Sequence, residues 1–172
     1  MKKAIVIVLG LILLNLSFAQ QYSLPSVDLK TLDGKTINTK DLLKDGKPIF
    51  LDFWATWCKP CIVELNTLAD LYPDWQDETS VKIVVISIDD ARTQSRVAPF
   101  VNSRGWDDFT ILLDPNGDFK RAMNVINIPH SFIIQPNGKI FWQHAGFAPG
   151  DEQEIHNQLL KLKAKLDSLS KQ

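Results

Sequence analysis

Cysteine is scarce in this chain: among 172 residues there are two, Cys58 and Cys61. A structural zinc site needs four ligands, usually supplied as paired motifs, and this count argues against one. No cysteine follows the apolar stretch at the N-terminus, which argues against a lipid anchor on sulfur there. Basic runs and basic stripes are missing too, and with a formal net charge of −1 the chain lacks the electrostatic footprint of a nucleic-acid partner. The apolar stretch Ala4–Leu14 is short against the roughly 20 residues of a membrane-spanning helix. The two "PNG" turns have unlike flanks and do not mark an internal repeat.

What stands at the N-terminus is Lys2 and Lys3, the apolar stretch, and Ser17-Phe18-Ala19 before Gln20. A charged region, an apolar region and a small-residue cleavage site read as a secretory signal peptide over residues 1–19; an uncleaved anchor is the other reading. Losing Lys2 and Lys3 moves the formal net charge of −1 by two, to −3. Residues 20–172 then form one domain, since 45% hydrophobic and 23% charged residues is the composition of an ordinary globular fold. The expected location is periplasmic or otherwise extracytoplasmic, where disulfides persist.

In the opening segment, "VDLKTLDGKTIN" places Asp33-Gly34 between two short alternating runs, a hairpin signal, and Thr39–Lys44 suits a helical turn or two. "PIFLDFWA" and "VKIVVISID" are near-continuous apolar runs, the pattern of strands covered on both faces. Between them Ile62, Leu65, Leu68, Ala69 and Tyr72 recur at helical spacing, with Pro73 as the expected stop. An amphipathic piece over 91–103, a strand "FTILLD", a "DPNGD" turn and a short helix near Phe119–Met123 follow. Next come the strands "HSFIIQ" and "KIFWQHA", joined as a hairpin through Pro136-Asn137-Gly138. Asp151 and Glu154 form a candidate capping pair for a last helix with Ile155, Leu159, Leu162, Leu166 and Leu169 on one face and Lys161, Lys163 and Lys165 on its solvated side. This order predicts an α/β sandwich on a mainly parallel sheet with an antiparallel edge.

Residues three apart on a helix share a face at about 5–6 Å, so Cys58 and Cys61 can close a disulfide with little backbone movement. So short a loop removes little unfolded-state entropy, so the bridge is a poor staple and its value lies in opening and closing. Cys58 falls where strand gives way to helix; unpaired N–H groups, the helix dipole and Lys59 there favour a thiolate, which is the attacking species. Cys61, one turn in, suits a resolving thiol, and Pro60 is tolerated in a first helical turn. Asp52 shares a strand face with Phe50 and Trp54; buried, it would hold a proton and could take one from Cys61 as general base, while an acid that reaches solvent is the other reading.

Trp57 is either an apolar docking surface beside the reactive sulfur or a packing residue. On base rates Pro129 is a trans proline opening an edge strand. Cys58, Cys61 and His130 together could hold copper or zinc, which makes a metallochaperone the alternative function; His144 and His156 lack evident partners.

"FLDFWATWCKPC" and "NVINIPHSFIIQPNGKIFWQHAG" resemble the active-site segment and the cis-proline strand and hairpin of the thioredoxin superfamily, over about Val27 to the C-terminus. The signal segment, the "LKTLDGKTINTKDLLKDGKPIFLDFWATWC" lead-in and the helix-strand unit between Asp89 and Asp114 are similar to the exported TlpA/ResA-type branch. The resemblance implies a thioredoxin-like fold, with a central mixed sheet flanked by helices, an N-terminal hairpin and an inserted helix-strand unit. It makes Cys58 the nucleophile, Cys61 the resolving cysteine, Asp52 the buried acid and Pro129 a cis-proline. It places Trp57, Lys59, Pro60 and Ile128 with Pro129 in the substrate groove. It implies an extracytoplasmic enzyme, working as a monomer without cofactor or metal, that exchanges dithiol and disulfide with protein substrates. The implied direction is reduction, for instance of apocytochrome c before haem attachment, with a membrane-bound thiol reductase as electron donor. Lys-Pro between the cysteines and His130 after the proline depart from the common pattern, at positions that set potential and substrate choice. The motif of the peroxide-reducing cysteine of peroxiredoxins is absent.

Overall fold

The computed structural model describes residues 22–170, so the signal peptide expected over residues 1–19 lies outside the described residues. Among these, no helix is long and apolar enough to cross a membrane.

One seven-stranded sheet organises the chain, in the order β2-β1-β5-β4-β3-β6-β7. Its strands are β1 (Asp28–Thr31), β2 (Thr36–Asn38), β3 (Ile49–Trp54), β4 (Lys82–Ser87), β5 (Thr110–Leu113), β6 (His130–Ile134) and β7 (Ile140–Ala145). The helices are α1 (Lys59–Thr79), α2 (Val97–Arg104), α3 (Asp118–Ala122) and α4 (Asp151–Leu169), with a 3-10 turn at Thr39–Leu43. The expected mainly parallel sheet is corrected: only β3·β4 and β4·β5 are parallel, and antiparallel pairs flank them on both sides. A hairpin at each end cannot run parallel, because its connection is too short for a crossover.

All six residues of β3 are buried, as its apolar run requires. Alternation sends Phe50 and Trp54 into one core with Leu65 and Leu68 of α1, Val97 and Val101 of α2, and Ile155, Leu159 and Leu162 of α4. Ile49, Leu51 and Phe53 face the other core, with Leu42, Phe119 and Met123. Each fully buried aliphatic or phenyl side chain contributes roughly 1.5–3 kcal/mol, so these two cores hold β3 from both faces.

Pro73 does not stop α1, which runs on to Thr79 with Ser80 as a left-handed cap. The apolar stripe resumes beyond the proline: Trp75 is buried and stacks on His156 of α4 with ring centroids 5.4 Å apart. Nor do Asp151 and Glu154 form a capping pair. Gly150, at φ 108°, takes the cap position, and Asp151 is already helical, its carboxylate accepting from Ala148 N at 2.8 Å. On that helix Leu169 is exposed, beyond the core its neighbours line.

Candidate active site

β3 ends at Trp54, and the turn 55–57 delivers Cys58 as the cap of α1. The two sulfurs are bonded, with 5.3 Å between the α-carbons. Cys58 Sγ accepts from Cys61 N at 3.3 Å, so a backbone donor of the first turn already points at the sulfur. Cys58 keeps 5% of its surface exposed and Cys61 none. Lys59 and Pro60 open the helix at the surface, and Trp57 is 61% exposed, which sets aside packing as its role.

The turn is held from the segment just past the end of β4. Buried Asp89 accepts from Thr56 N at 2.8 Å, Thr56 Oγ1 at 2.6 Å and Ser87 Oγ at 2.9 Å. Asp89 was not singled out in the sequence; an acid directly after a buried strand, level with the end of β3, was the available signal.

Antiparallel pairing of β3 with β6 sets Asp52 opposite Ser131 and Phe53 opposite His130. Ile128 and Pro129, just before β6, therefore lie at the sheet end where Cys58 begins α1. The Ile128–Pro129 peptide is cis, and β6 is flanked by β3 and β7, so both the trans form and the edge position are corrected. His130 does not join the sulfurs. Alternation turns it to the face opposite Asp52, where it stacks on Phe132 at 4.7 Å between centroids. Among the described residues, no three His, Cys, Asp or Glu side chains are grouped to hold a metal ion. His144 lies 3.5 Å from Asp151 and His156 2.7 Å from Glu78.

Asp52 is fully buried, so the solvent-reaching reading does not apply. It has company that sequence reading missed: Glu64, also fully buried, on the same stripe of α1 as Cys61, Leu65 and Leu68. Its spacing from Cys61, three residues, was the signal. Ser131 Oγ stands between the acids, 2.7 Å from Glu64 Oε1 and 3.3 Å from Asp52 Oδ1, while Asp52 Oδ2 and Glu64 Oε2 have no partner. Burial first, and the Glu64 charge second, hold the Asp52 carboxyl well above its ordinary range. Burial pushes Glu64 up to about 8, with the Asp151 charge adding to it and the Ser131 hydrogen bond opposing. The arrangement offers a bonded sulfur pair at a helix mouth over a buried acid site able to hold protons at neutral pH.

The comparisons agree with this geometry. A sequence profile of the AhpC/TSA family matches residues 21–143. The thiol-disulfide oxidoreductase ResA of Bacillus anthracis is 37% identical over 122 residues, 71% of this chain and 67% of that one. A thioredoxin-like protein from Porphyromonas gingivalis superposes with a TM-score of 0.74 at 45% identity, covering 83% of this chain and 92% of that one. A protein from Chlorobium tepidum, assigned as the thiol:disulfide interchange protein DsbE, gives a TM-score of 0.70 at 28% identity, covering 81% and 94%. With the CxxC pair at the head of α1 in a sheet of this topology, the chain belongs to the AhpC/TSA family and is a thioredoxin-like thiol-disulfide oxidoreductase.

Proposed function

We propose that this chain works outside the cytoplasm, residues 1–19 being removed on export, as a monomeric reductase of protein disulfides. The observation that carries the chemistry is the Cys58–Cys61 bond at the start of α1, with only Cys58 keeping any exposure. The Cys58 thiolate attacks a substrate disulfide, breaks its S–S bond and releases one substrate thiolate. Cys61 then loses its proton to Asp52 and attacks Cys58 Sγ, releasing the second substrate thiolate and closing the Cys58–Cys61 bond. Two electrons pass from the protein dithiol to the substrate, and a membrane-bound thiol reductase restores the dithiol. The exposed Trp57, Lys59 and Pro60, with Ile128 and Pro129, form the groove that receives the substrate.

The direction rests on electrostatics. A negative charge kept on the buried acid pair close to the cysteines makes a thiolate at Cys58 costlier, so the reduced form gains less from ionisation and the closed disulfide is favoured. Lys59 acts oppositely, but from the surface, where water screens it. A protein that prefers its own disulfide is a reductant. Likeness to the exported TlpA/ResA branch supports apocytochrome c as the substrate.

The reduction potential of the purified domain tests the direction. A value near about −270 mV supports a reductase; one near about −120 mV makes the protein an oxidant and overturns the assignment.

A further inference from the structure

Three oxygens are linked through one hydroxyl: Ser131 Oγ lies 3.3 Å from Asp52 Oδ1 and 2.7 Å from Glu64 Oε1. All three residues are fully buried, and they come from three different elements, β3, β6 and α1. A hydroxyl carries one proton, so it can donate to only one carboxylate at a time. Were both acids ionised, one would face only the lone pairs of Ser131 Oγ in a site without water's screening. With one proton on the pair, the row closes: one acid donates to Oγ, and Oγ donates to the other. The shorter separation falls on the Glu64 side.

We propose that Ser131 is a positioning residue whose hydroxyl joins Asp52 and Glu64 into one proton-sharing pair, and that this pair, rather than Asp52 alone, takes up the proton Cys61 loses. The inference rests on the oxidoreductase reading above and deepens it. In the resolving step the singly protonated pair accepts H⁺ from the Cys61 thiol, the Cys61 sulfur attacks Cys58 Sγ, and the substrate sulfur leaves with the electron pair of the broken bond. The pair ends neutral and doubly protonated and later returns H⁺ to water. Cys61 and Glu64 are one turn apart on the buried face of α1, the spacing of side chains that are neighbours on a helix, which ties the acceptor end of the row to the donor residue. The groups facing the pair are the backbone N–H groups of Phe53 and His130 and Asp151 at the start of α4, whose own neighbour is His144 on β7, while Cys61 precedes Glu64 by one turn on the buried face of α1.

The test is the pH dependence of insulin reduction by dithiothreitol, catalysed by the full mature chain and its Ser131→Ala and Ser131→Thr variants, with the uncatalysed rate subtracted at each pH. Without the hydroxyl, the charged form of the pair loses a bond of the strength typical for ions. The rise of kcat/KM with pH should therefore move up by about one unit in Ser131→Ala, with about a tenfold loss at pH 7. Ser131→Thr keeps the hydroxyl and should stay within about twofold of wild type. A Ser131→Ala profile that overlays wild type overturns the proposal. Carbon-13 carboxyl titration of the wild-type protein provides a second readout that needs no variant to fold. Asp52 and Glu64 should both report the same two steps, and single independent steps would refute the shared proton. Failure of wild type to reduce insulin above background would refute the oxidoreductase reading instead, leaving the titration to judge the pair.

Discussion

Asp52 on β3 and Ser131 on β6 stand directly opposite each other, and the pairing places an acid and a hydroxyl beneath the helix that carries both sulfurs. Since Glu64 reaches the same hydroxyl from α1, the sheet register and the helix phase together fix the polar site. A slip of one residue in β6 would turn Ser131 to the opposite face and bring His130 under the helix.

The buried acids make stability depend on pH in a stated direction. Glu64 has its ordinary value of 4.5 raised to about 8, so between these values the native state holds a proton that the unfolded chain has released. Stability is full below this window and falls as pH rises through it, with a slope of up to about 1.4 kcal/mol per pH unit for each proton. Glu64→Gln removes one such proton. Urea unfolding at pH 5, 6.5 and 8 should show the difference between Glu64→Gln and wild type moving in the variant's favour by at least about 2 kcal/mol. Parallel curves would contradict the assignment.

Trp57 should matter to substrate and not to folding. At 61% exposure its replacement by alanine should alter the unfolding free energy by no more than about 0.5 kcal/mol. KM for a protein disulfide should rise several-fold with kcat little changed. An unchanged KM would remove Trp57 from the groove.

Asp89→Ala leaves three donors around the 55–57 turn without their acceptor. A loss of at least about 2 kcal/mol is expected from the charged hydrogen bonds alone. Because the turn positions Cys58, alkylation of the reduced protein should slow as well. Full stability in the variant would show that the turn is held by packing.

Pro73→Ala should stabilise the protein. Proline inside a helix costs about 3 kcal/mol through its missing N–H and its ring, while its restriction of the unfolded chain returns only about 0.4–1 kcal/mol. Pro73 is exposed, so the replacement leaves no cavity. A net gain of about 2 kcal/mol is expected in urea unfolding; a loss would mean that Pro73 itself helps seat Trp75 against α4.

The strands were legible because their signals are local. The β3 run, the Asp33-Gly34 hairpin and the turn at Gly138 each declare themselves within a few residues. The Cys58–Cys61 pairing and the burial of Asp52 within an apolar strand were legible for the same reason. What escaped depends on partners distant in sequence: Ser131 meets Asp52 across 79 positions, and β1 pairs with β5 through a register no hydrophobic pattern encodes. Glu64 is not legible locally, because an acid on a helix is ordinarily solvated and only its phase, that of Leu68 and Cys61, marks it as buried. Pro73 misled because the penalty it brings is local while the burial of Trp75 that offsets it is tertiary.

The order of attack is tested most directly by trapping. Reduced Cys61→Ala, mixed with a disulfide-containing protein and run on denaturing, non-reducing gels, should accumulate a covalent adduct through Cys58, because the thiol that would release it is gone; Cys58→Ala should form none. An adduct that persists with Cys58→Ala and not with Cys61→Ala would contradict the account.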